Sequence, residues 1–78
     1  MTRTKPLPHV DVDPVLLDAM VLVAMRAAIA NGYPTEHLMA QDVAEDLNRY
    51  HSELEKYPPE QLRHSVLRVR RANLNQGL

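Results

Sequence analysis

The chain has 78 residues, nine Lys and Arg against ten Asp and Glu, and no cysteine. That length allows one domain near the lower limit for folding without staples, and the missing cysteines exclude a disulfide framework or a Cys-based zinc site. Apolar residues make up 45%, with no Phe or Trp and only three Tyr, and so aliphatic a core suits packed helices better than a sheet.

Residues 1–12 carry Pro6 and Pro8 and no apolar period, which reads as a flexible, extended arm. The arm lacks the apolar stretch and cleavage site of a signal peptide. Asp13-Pro14 is a helix start, with Asp as N-cap and Pro at the first helical position. A first helix is expected from Pro14 to about Ala30, stopped by Asn31-Gly32. Its run VLLDAMVLVAMRAAIA holds Asp18 and Arg26 and is too short and too charged to span a membrane. A soluble, cytoplasmic protein is the expectation. Apolar residues occupy every sector of this helix, and two companion helices in so short a chain cannot cover them all. The excess predicts a homodimer or a protein partner, met through Leu17, Met20, Val21 and Met25.

Met39, Val43, Leu47, Tyr50, Leu54 and Tyr57 then recur at steps of three and four. The period predicts one continuous helix from about Glu36 to Lys56, although residues 48–57 are also compatible with a loop. Its acids, Asp42, Glu45, Asp46 and Glu53, fall away from the stripe as a solvated face or a docking surface for a basic partner. Pro58-Pro59 ends this segment and opens a third helix, expected to close between Asn73 and Gln76. Leu62, Val66, Val69 and Ala72 mark its inner face. "HVDVD" alternates, but the chain offers such a strand no partner, and no sheet is expected.

Charge is segregated along the chain. Residues 1–62 hold five Lys and Arg against ten Asp and Glu, whereas residues 63–78 hold Arg63, Arg68, Arg70 and Arg71 and no acid. With the inner face buried, Arg63 and Arg70 fall on one flank, and His64, Arg68 and Arg71 lie opposite the core. Gln61, Asn73, Asn75 and Gln76 add amides. Arg can hold phosphate or read guanine, and Asn or Gln can read adenine. The same arginines would equally cap the helix or pair with the acids of the second helix. Catalytic chemistry has no such support: there is no HExxH, phosphate loop, GxSxG or Cys nucleophile. His51 and Glu55, four residues apart, read as a surface pair. No enzyme, metal or cofactor is expected.

The segments "AQDVAEDL" and "PPEQLRHSVLRV" resemble the two helices of helix-turn-helix and winged-helix DNA-binding modules, over residues 39–71. Ala44, between Val43 and Leu47, is the small residue that lets the second helix cross closely. Two features depart from that pattern. Ten residues separate Leu47 from Pro58 where a turn of three or four is standard, and no paired strands follow residue 71. The reading is an all-α, three-helix domain over residues 13–78, compact and helix-turn-helix-like or a bundle. Its expected role is a small non-enzymatic DNA-binding regulator that uses Arg63, His64, Arg68, Arg70 and Arg71 and dimerises through the first helix. The alternative is a helical adaptor or inhibitor that binds another protein.

Overall fold

The computed structural model describes residues 10–74. They form three α-helices, α1 (Pro14–Ala30), α2 (Ala40–Asp46) and α3 (Pro59–Ala72), joined by single turns of 3-10 helix. Among the described residues there is no strand, and no helix is long and apolar enough to cross a membrane.

α1 starts and stops where its local chemistry dictates. Asp13 Oδ1 accepts from the Val15 N–H at 2.9 Å, and Pro14 fills a position whose N–H would have no helical partner. At the other end Tyr33 N–H reaches the Ala28 carbonyl and Gly32 N–H the Ile29 carbonyl, both at 2.9 Å. This double closure needs a left-handed residue at Gly32, whose φ is 86°. Leu17, Val21, Ala24, Met25 and Ala28 turn inward on α1. They meet Val43 and Leu47 from the middle of the chain and Leu62, Val66 and Val69 from α3 in one core.

The middle segment corrects the expectation of one continuous helix. α2 runs for only seven residues, followed by 3-10 turns at Leu47–Arg49 and Ser52–Lys56. Between those turns His51 is extended (φ −158°, ψ 101°). A straight 21-residue helix would be about 31 Å long and would carry its last apolar residues away from so small a core. Breaking at His51 instead folds Leu54 and Tyr57 back into the core, both buried. Tyr50 packs on Tyr33 with ring centroids 5.9 Å apart, and Tyr33 Oη donates to Asp46 Oδ2 at 2.6 Å. Met39 is not part of the buried stripe: it precedes α2 and is 75% exposed. His51 and Glu55 do not share a helical face, because the extended His51 breaks the spacing.

The burial of α1 corrects the expected interface. Leu17, Val21 and Met25 are within 1% of complete burial inside the monomer's own core, and Met20 is half-buried against it. The outward apolar face of α1 consists of Val15, Leu16, Ala19, Val23, Ile29 and Ala30 instead. Val15, Leu16 and Val23 are 76%, 57% and 58% exposed.

Candidate nucleic-acid interface

α3 is held from three directions. Its inner face buries Leu62, Val66 and Val69, as the spacing predicts, while Ala72 is exposed. Gln61 and Ser65, polar residues beside that stripe, are buried as well.

One flank is tied to α1 and to the N-terminal arm. Asp18 accepts from Ser65 Oγ at 2.5 Å. It also accepts from Arg68, with Nε 2.9 Å from Oδ2 and a terminal guanidinium nitrogen 2.9 Å from Oδ1. These hydrogen bonds to Asp18 hold Arg68 still more firmly protonated than an ordinary arginine. Gln61 grips the backbone of Val10 at both its N–H and its carbonyl, each at 2.9 Å. Residues 10–12 of the arm are therefore pinned, and Val10 and Val12 pack on the core. Residues 1–9 lie outside the described residues.

The opposite flank is tied to the turn before α2. The guanidinium of Arg70 donates to the carbonyls of Thr35 and Leu38, the latter at 2.7 Å. The Thr35 carbonyl also accepts from the Leu38 N–H at 3.2 Å, and Leu38 lies just past the 3-10 turn with no continuing helix, so a half-buried cation completes their hydrogen bonding. Asn73 closes α3 by donating from Nδ2 to the Val69 carbonyl at 2.8 Å.

The five expected contact residues thus divide. Arg68 is committed to α1 and Arg70 to the Thr35–Leu38 turn, so neither guanidinium is offered to an external phosphate as the sequence suggested. Glu60, His64, Leu67 and Arg71 are exposed on the remaining, outward face, with Arg63 at its edge. Arg63 lines a shallow pocket with Gln41, Pro59 and Glu60. Among the described residues no hydrogen-bond or ionic partner meets Arg63, His64 or Arg71. Of the four expected amides, Gln61 and Asn73 are occupied internally, and Asn75 and Gln76 lie outside the described residues.

Sequence reasoning missed the internal roles of Asp18, Ser65 and Gln61. A signal existed for the first: Asp18 is the single acid in an otherwise apolar helix, and such a residue needs a partner when its neighbours are buried. Two acids of the middle segment are engaged locally. Asp46 accepts from Tyr33, and Glu53 pairs with Lys56 at 3.2 Å. No group of three or more His, Asp and Glu side chains comes together among the described residues. The chain matches no family model, no curated protein and no solved structure.

Proposed function

We propose that the chain is a small non-enzymatic DNA-binding regulator that contacts a duplex through the outward face of α3. The observation that carries this is the division of the arginines: α3 is fixed on every other side, and Arg63, His64 and Arg71 remain unengaged on the side that faces out. A helix enters a major groove usefully when its polar side chains are presented on a rigid support. In this reading α2 and α3 act as a helix-turn-helix pair in which residues 47–58 form an extended turn. Arg63 and Arg71 hold phosphates or read guanine, and His64 sits between them.

The regulator works as a two-fold dimer through the outward face of α1, where Leu16 and Val23 lie seven residues apart on one side. Two such chains present two α3 helices to successive half-sites, and binding occludes the DNA. A second reading, docking of another protein, is favoured by the exposure of Val15, Leu16 and Val23 on that same face.

Binding to a labelled duplex across a salt series tests the first reading. Each phosphate neutralised adds about 0.9 to the slope of log affinity against log salt. Arg63→Ala with Arg71→Ala flattens that slope by about 1.8 per chain, whereas Arg68→Ala leaves it unchanged. Unaltered binding by the Arg63/Arg71 variant overturns the assignment. A parent that does not bind at low salt leaves α1 and a protein partner as the better account.

A further inference from the structure

The middle of the chain has the sequence of one helix and the structure of a broken one. Residues 40–56 contain no Gly or Pro. From Ala40 to Lys56 the backbone is α-helix, 3-10 helix or, at Tyr50, right-handed helical (φ −109°, ψ −11°). His51 is the exception, extended at φ −158° and ψ 101°. The α and 3-10 conformations differ by only about 15–20° in ψ, so rotating His51 into the α region joins the pieces. Residues 40–56 would then run straight for about 25 Å.

The ties that seat α3 reach back across this hinge. Gln61 is bonded to the Val10 backbone, Ser65 and Arg68 to Asp18, and Arg70 to the Thr35 and Leu38 carbonyls. Leu62, Val66 and Val69 share a core with α1 and with Val43 and Leu47. When His51 straightens, α3 is carried out of that seat, and the segment whose side chains match it is α3 of a second copy. Two chains that exchange α3 remake these same bonds between molecules. Tyr50 and Leu54 leave their places in the monomer during the exchange. They continue from Val43 and Leu47 at steps of 4, 3 and 4 residues, the spacing of a coiled-coil seam. Where two straightened helices cross at the two-fold axis, these residues cover one another.

We infer that the chain forms a domain-swapped dimer, in which His51 is the hinge and α3 of each copy fills the seat on α1 and α2 of the other. The partner is a second copy of this chain, and the surface it meets is the one α3 buries in the monomer. DNA binding and the outward face of α1 play no part in it. The exchange requires α3 to leave the core, so it is slow and proceeds under conditions close to unfolding.

Leu16→Glu with Val23→Glu breaks up the outward apolar face of α1 and provides a starting chain that is monomeric when freshly prepared in dilute solution. This chain is held at millimolar concentration near its unfolding midpoint, then cooled, diluted and sedimented. The expected product is a dimer that outlasts dilution and has stronger helical circular dichroism per residue than the monomer. His51→Ala in the same background raises the association constant on the order of five-fold, because two hinges gain helix propensity. Ser52→Pro abolishes the dimer, since proline keeps the preceding His51 out of the α region. Its own fixed φ suits the first position of a 3-10 turn, so the monomer stays folded. Absence of a dimer from the starting chain overturns the inference and leaves the reading of α3 and the α1 interface standing. A dimer no more helical than the monomer, formed equally by Ser52→Pro or not strengthened by His51→Ala, is docked by other means and overturns it too. If Ser52→Pro loses its helical circular dichroism, the His51→Ala comparison decides the matter alone.

Discussion

Replacing Asp18 with Ala removes the acceptor shared by Ser65 and Arg68, and the two losses differ in size. Ser65 is fully buried, so its hydroxyl is left without its partner in a place water does not reach, at about 1–3 kcal/mol. Arg68 and Asp18 side chains are 44% and 26% exposed, and an ion pair so open to solvent contributes at most about 1 kcal/mol. Alanine returns about 0.5 kcal/mol through its better helix propensity. The net loss is about 2 kcal/mol, against a total of about 4–12 kcal/mol for a chain of this length. Thermal unfolding followed by circular dichroism should show the midpoint falling by roughly 10 °C. Asp18→Asn keeps an acceptor for Ser65 and loses only the charge, so it should fall by less than half as much. The reasoning fails if Asp18→Ala stays within about 0.5 kcal/mol of the parent, or if Asp18→Asn is as damaging.

Thr35 is 1% exposed and its hydroxyl has no hydrogen-bond partner among the described residues; Thr35→Val keeps the shape, removes the orphan and should raise stability by about 1 kcal/mol in a urea titration. Burial, then the hydrogen bond to Asp46, pushes the Tyr33 phenol up to about 12. A raised pKa means the folded state favours the neutral phenol, so this stabilisation is complete below about 10 and disappears as pH rises through about 12. Tyr33→Phe should therefore flatten the stability profile in that alkaline window and remove the tyrosinate absorbance step near 12. Leu16→Glu with Val23→Glu places two carboxylates on the outward face of α1; sedimentation should report a monomer with unchanged helical content, and a dimer that persists would refute that interface.

The ends of α1 were readable because caps are local: Asp13-Pro14 and Asn31-Gly32 carry their instructions within two or three residues. The start of α3 at Pro59 was readable for the same reason. The middle segment was not, because steps of three and four suit a run of short 3-10 turns as well as one α-helix, and only tertiary burial of Leu54 and Tyr57 selects between them. The outward face of α1 was misassigned by the same blindness. When every sector of a helix is apolar, its period cannot say which sector the rest of the chain covers, and here the core takes Leu17, Val21 and Met25. The arginines of α3 were found as a group, but their fates depend on Asp18 and on the Thr35 and Leu38 carbonyls, 32 to 50 residues away. Long side chains choose partners in three dimensions, so spacing along the helix does not distribute them.

That distribution sets how strong a DNA contact can be. Arg68 shares its charge with Asp18 and Arg70 is turned into the fold, so α3 offers two uncommitted arginines, with Glu60 beside Arg63. Specific binders of duplex DNA commonly neutralise about 6–10 phosphates. Two arginines on one chain fall well short of this, and a dimer of α3 helices reaches four. In the proposed reading the dimer sets the strength of binding, and the salt slope separates the cases. Four contacts give about −3.6, and two give about −1.8. A slope near −3.6 that falls to half on removing the α1 interface would support the two-fold arrangement. A slope near −1.8 in the parent would mean that a single α3 meets the duplex. No salt-dependent binding would mean that the arginines of α3 serve the fold, and that the exposed face of α1 is where the function lies.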